Sequence, residues 1–139
     1  SPYGIFVIET KNYKGWIFAS ARQKQWTQKI YKNSYTFQNP IHQNYKHIKV
    51  LEQLLTDIVE PDLLHSVIVF MPDAVFKTPM PNEVFCGAGW TDYVKSFDQQ
   101  MISETKLKRI QLRLEKELLE KSWKTNREHV ESLKQHKQP

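Results

Sequence analysis

Glu9 is the single acid among the first fifty residues, and it stands two places before Lys11 in the run Gly4-Ile-Phe-Val-Ile-Glu-Thr-Lys11. Side chains alternate along a strand, so Ile5, Val7, Glu9 and Lys11 share one face while Phe6, Ile8 and Thr10 share the other. A carboxylate and an ammonium on one face can reach a common point beyond the sheet. There the carboxylate could hold a divalent metal while the lysine orients a water or stabilises a phosphate. An ion pair at a strand end explains the same spacing and is worth at most about 1 kcal/mol when exposed. The E-x-K spacing alone leaves both readings open.

Other chemistries find little support. His42, His47, His65, His129 and His136 show no zinc-ligand pairing with cysteine or with one another. A nucleophile elbow and a P-loop are both absent. Cys86, the lone cysteine, cannot form an internal disulfide or a thiolate zinc cluster. Placed after a short apolar run and before Gly87-Ala-Gly89, it reads as a small buried hydrophobe.

A wider set of spaced elements carries more information. Ile8-Glu-Thr-Lys-Asn-Tyr-Lys-Gly15, then Trp26, then Phe37-Gln-Asn-Pro-Ile-His-Gln-Asn44 and His47, resembles the NERD (nuclease-related domain) family, over residues 1 to about 85. That family is placed in the PD-(D/E)xK, restriction-endonuclease-like superfamily. The resemblance implies Glu9 as a metal-binding carboxylate and the Thr10 carbonyl as a further ligand. It implies Lys11 as the catalytic lysine and Gln43 as the glutamine of the N-P-x-x-Q element, with Mg²⁺ or Mn²⁺ as cofactor and DNA as substrate. His47 matches a family position and is read as structural. The superfamily's first motif supplies an aspartate on the strand before E-x-K, whereas Ser1-Pro-Tyr-Gly4 reads as the turn of a hairpin without its first arm. The expectation is a piece of a longer protein, whose Gly4–Lys11 strand offers an edge to a second copy or a partner chain.

The elements that must position these residues follow from periodicity. Gly4–Lys11 and Trp16–Ser20 read as two strands paired in a hairpin across Asn12-Tyr-Lys-Gly15, with a shorter strand around Trp26. Asn39-Pro40 is a helix start, and Ile48, Leu51, Leu54, Leu55 and Ile58 extend the helix over 40–58. Gln43 then lies in its first turns, where backbone N–H groups and the dipole favour an anion. Ser66–Met71 is a continuous apolar run, a strand covered on both faces. Strand, helix, covered strand suggests a crossover into a parallel pair. Glu83–Cys86 reads as a further strand. Helices are expected over 91–102 and about 104–121, and a last one from the capping box Thr125-Asn-Arg-Glu128, with Val130 and Leu133 on one side and fraying from Gln135. The fold class is α/β, a mixed central sheet flanked by helices. Residues 1–102 form the nuclease-related core, expected to lack its N-terminal strand and helix, and 103–139 a helical extension of the same domain.

Composition sets the outer bounds. The 139 residues make one domain, and no apolar run approaches the ~20 residues that span a bilayer. No secretory leader is visible, and one cysteine suits a reducing compartment, so the expected location is cytoplasmic. Residues 1–50 carry eight basic residues against Glu9, a net +7, whereas the rest carries −2. Lys14, Arg22, Lys24 and Lys46, interleaved with aromatic residues, are the candidate nucleic-acid contacts. The functional reading is metal-dependent hydrolysis of DNA, incomplete in this chain and expected of the full-length protein. Its rival is a non-catalytic nucleic-acid-binding or protein-interaction module on the same scaffold, and a weaker option is dimerisation through residues 103–139. The charge asymmetry predicts that DNA affinity falls at least about tenfold between ~50 and ~200 mM salt, through counterion release from several phosphates. A titration series giving a flat affinity would contradict it.

Overall fold

A computed structural model describes residues 1–136, with side chains through residue 127. Ten main elements follow in order: β1 (Ile5–Lys11), β2 (Gly15–Phe18), β3 (Gln25–Ile30), β4 (Asn33–Gln38), α1 (Pro40–Leu54), β5 (Leu64–Phe70), β6 (Ala74–Phe76), β7 (Val84–Cys86), α2 (Trp90–Lys95) and α3 (Glu104–His136). The class is α/β with a helical C-terminal part, and the strands divide between two sheets. One is parallel, in the order β1-β5-β7; the other is mixed, in the order β4-β3-β2-β6.

The expected crossover is present. β1 and β5 pair in parallel from Ile5 opposite Leu64 to Lys11 opposite Phe70, with α1 between them in sequence. Val67, Ile68 and Phe70 are completely buried, as an apolar run covered on both faces should be. β1 has β5 on one side and, among the described residues, no strand on the other.

The expected β1–β2 hairpin does not form. β2 pairs with β3 antiparallel and with β6 in parallel. The chain leaves β1 through Asn12–Lys14 and runs on into the second sheet, and β5 does the same through the turn into β6. Met71 N–H donates to the Lys11 carbonyl (3.0 Å) and Gly15 N–H to the Asp73 carbonyl (3.2 Å), so the two continuations travel together. Tyr13 explains why the chain does not reverse: its ring stacks on Phe37 (4.4 Å between centroids) and lies 6.5 Å from Phe70, so it is drawn across the core. Trp26, Phe37, Phe70 and Phe76 complete this aromatic layer with Ile17 and Ile68.

Other boundaries also differ from expectation. β4 was not anticipated; it pairs with β3 across the two-residue turn Tyr31-Lys32. α1 ends at Leu54 rather than 58, because Pro61 biases Glu60 to extended backbone (ψ 146°) and the segment between closes into turns. α2 stops at Lys95 rather than 102; beyond it, Met101 and Ile102 N–H groups both donate to the Pro2 carbonyl (2.8 and 3.0 Å), holding that stretch against the N-terminus. The two expected C-terminal helices are one. The Thr125 hydroxyl donates back to the Lys121 carbonyl (3.0 Å) instead of capping a new helix, and nothing in the sequence interrupts the turn. Backbone helix continues through Gln135, where fraying was expected; residues 137–139, and the side chains of Val130 and Leu133, lie outside the described residues. Asp57, just past α1, pairs with Arg113 and Arg109 of α3, and Arg113 also donates to the Leu54 carbonyl (3.1 Å). The Arg113 guanidinium holds the Asp57 carboxyl below its ordinary range.

Gly15 is the glycine that the sheet junction requires. It has φ +84°, and a Cβ there would stand 2.6 Å from the Lys29 carbonyl oxygen across the strand pair. Gly15→Ala should therefore lower unfolding stability by about 1–3 kcal/mol. Urea denaturation gives the test, and an unchanged midpoint would contradict it.

Candidate functional site

The cluster around Lys11 starts from strand alternation. Glu9 and Lys11 lie on the same face near the C-terminal end of β1, and Lys11 Nζ is 3.1 Å from Glu9 Oε1. The same ammonium donates to Gln43 Oε1 of α1 at 2.7 Å. His47, one turn further along α1, places Nε2 3.8 Å from Glu9 Oε2. Glu9 and Lys11 are largely covered, with 23% and 15% of their side chains exposed, whereas His47 is open to solvent.

Two asparagines set this geometry. Asn39 caps α1: its Oδ1 accepts from Ile41 N–H (2.9 Å), and Pro40 occupies the first turn. Its Nδ2 donates to the Gln23 carbonyl (2.8 Å), with longer contacts to Ser20 and Ala21 (3.4 and 3.3 Å). Trp26 Nε1 also donates to the Ser20 carbonyl (2.8 Å). The loop carrying Arg22 and Lys24 is thereby fastened to the start of α1. Asn44 is fully buried and donates to the Val7 carbonyl and the Ser66 hydroxyl, both at 2.9 Å. It locks α1 to β1 and β5 one residue after Gln43.

Asn44 is the residue that the sequence reading passed over as a site determinant. A signal was present: Ile41, Asn44, Ile48, Leu51 and Leu55 form one stripe at helical spacing, and an asparagine in an apolar stripe must find buried partners. Of the expected site residues, the structure brings Glu9, Lys11 and Gln43 together. The Thr10 side chain is on the opposite, exposed face, which leaves only its backbone in reach of the cluster. Lys14, Arg22, Lys24 and Lys46 are all exposed and form no ion pair among the described residues, but they sit on separate segments: the β1–β2 connection, the β2–β3 loop and α1.

The metal expectation can be tested against the donors. Among the described residues no group of three or more His, Cys, Asp or Glu side chains is arranged to hold a metal ion. Glu9 is the cluster's carboxylate, with one oxygen already on Lys11, and its neighbour His47 offers nitrogen. Mg²⁺ asks for a near-octahedral oxygen set with one or two carboxylates besides substrate phosphates. This donor set does not fit it unaided.

Residues 1–71 match the family model of NERD, the nuclease-related domain, and the chain belongs to that family. Over 52 residues it is 58% identical to an uncharacterized protein of Bacillus anthracis, a stretch that is 37% of this chain and 24% of that protein. The chain thus matches about a quarter of the relative's length. No solved structure matches it significantly.

Asn44→Ala should remove two buried hydrogen bonds and leave the Ser66 hydroxyl without its partner, costing about 1–3 kcal/mol of unfolding free energy. Chemical denaturation checks this, and a loss under ~0.5 kcal/mol would show that α1 is seated by its apolar stripe alone.

Proposed function

We propose that this nuclease-related domain acts in phosphodiester hydrolysis of DNA at the Glu9–Lys11–Gln43 cluster. The observation that carries the reading is the position of Lys11 Nζ between Glu9 Oε1 and Gln43 Oε1. An ammonium has three N–H donors, and two are engaged here, so one remains for a phosphate oxygen. Gln43 approaches from the helix and Glu9 from the strand, which holds the charge in place before a substrate arrives. Such preorganisation is what stabilises charge developing on a phosphoryl group. The second Glu9 oxygen, 3.8 Å from His47 Nε2, could join a coordination shell. Lys14, Arg22, Lys24 and Lys46 would contact sugar-phosphate backbone, adding affinity without sequence preference.

Mg²⁺ or Mn²⁺ is the cofactor class of this reading, and it requires a further acid beside Glu9. The scarcity of carboxylates in the cluster supports the second reading, a nucleic-acid-binding module that keeps the scaffold without turnover. The two separate in one experiment. With supercoiled plasmid and divalent metal, a nuclease should lose at least about 100-fold in nicking rate in Glu9→Gln and in Lys11→Ala, and stop in EDTA. Salt-sensitive binding with no Glu9-dependent nicking by the full-length protein would retire the hydrolytic reading in favour of the binding module.

A further inference from the structure

We infer that the outer face of the β4-β3-β2-β6 sheet is a second binding surface, specific for single-stranded nucleic acid, with Trp16 as its stacking platform. The inference goes beyond the Glu9 site and does not depend on cleavage there.

Alternation along β2 sends Ile17 into the core, completely buried, and turns Trp16 outward, 46% exposed. Register places Lys29 directly beside Trp16 on one side and Val75, 47% exposed, on the other. Lys77, two residues beyond Val75, sets its ammonium 4.3 Å from the centroid of the Trp16 ring. An exposed indole is thus flanked by a lysine of β3 and by one just past the end of β6. Beside it opens a concavity of about 540 Å³ lined by Lys14, Gly15, Trp16, Lys29, Ile30 and Tyr31.

Tyr31 makes the arrangement unusual. It caps the β3–β4 turn with φ +54°, a backbone conformation that bulky residues avoid, and its side chain is 95% exposed. Asparagine or glycine would adopt this turn without strain. The molecule keeps an aromatic ring where the backbone favours a small residue.

Charge decides the occupant. Residues 10–51 contain no acid, and Lys14, Lys29 and Lys77 form no ion pair among the described residues. A polyanion that also presents flat π-faces fits this surface, and unpaired bases satisfy both requirements. Duplex DNA offers the same phosphates but hides its base faces inside the stack, so Trp16 distinguishes the two.

The test uses the whole chain in EDTA, so that turnover plays no part. A labelled oligothymidylate of about 12 nucleotides and the corresponding duplex are titrated by fluorescence anisotropy. Trp16→Ala should weaken single-strand binding at least about fivefold and leave duplex binding within about twofold, with Trp16→Phe restoring most of the loss. Tyr31→Gly should melt at a higher temperature yet bind the single strand less tightly. Lys29→Glu with Lys77→Glu should cut affinity and flatten the salt dependence, which keeps the test open if Trp16→Ala does not fold. Single-strand affinity unchanged in both the Trp16 and the double-lysine variants, equal losses for single strand and duplex in Trp16→Ala, or no oligonucleotide binding by the native chain would each overturn the assignment. The last result would leave a protein segment as the surface's occupant. Because nothing is cleaved in EDTA, the comparisons between variants leave the hydrolytic reading untouched, and Glu9-dependent nicking bears on that reading alone.

Discussion

Asn44 donates both amide hydrogens into the junction of β1 and β5, one to the Val7 carbonyl and one to the Ser66 hydroxyl. The parallel pair and the helix that connects them are closed into one unit by this side chain. Two consequences follow from its place in the sequence. Gln43, the preceding residue, is carried to Lys11, and His47, one turn on, is carried to Glu9. A slip of α1 along the sheet by one turn would move each by about 5 Å and disperse the cluster. The apolar stripe of α1 supplies burial, but stripes tolerate sliding; the directional bonds of Asn44 do not.

The second constraint is aromatic. Trp26, Phe37, Phe70 and Tyr13 meet between the two sheets, with Trp26 and Phe70 nearly parallel at 6.3 Å. This layer lets β1 and β5 continue into β2 and β6 without reversing, so the sheets share a core. A second cluster around Leu55, Ile58, Leu64, Ile102 and Ile110 anchors α3 against the end of α1. The Asp57–Arg113 contact closes that corner at the surface, where solvent screening keeps its contribution small.

Electrostatically the two faces of the molecule differ in kind. At the Glu9 cluster, charges of both signs are matched and held, which suits a site that must present one ammonium in a fixed direction. On the outer face of the second sheet, basic groups flank exposed aromatic rings and form no ion pair among the described residues. The first arrangement can orient a phosphate. The second can hold a chain of them.

Much of the architecture was legible without coordinates. Strand alternation put Glu9 and Lys11 on one face, Asn39-Pro40 marked the start of α1, and the unbroken apolar run of β5 announced a strand covered on both sides. These readings succeeded because each depends on neighbours in the chain. The failures at the β1–β2 junction and at β4 share one cause, competition from distant residues. Asn12-Tyr-Lys-Gly15 has the composition of a hairpin turn, yet Tyr13 stacks on Phe37, more than twenty residues away, and draws the strand onward. β4 is polar along most of its length and becomes a strand because β3 offers it a ladder. Sequence alone determined which residue types could do chemistry and which local elements would carry them. Tertiary structure alone decided that Gln43 reaches Lys11, that Asn44 fixes this meeting, and that Trp16 faces outward beside Lys29 and Lys77. Those facts rest on hydrogen bonds and ring contacts between segments far apart in sequence, whose geometry no local pattern encodes.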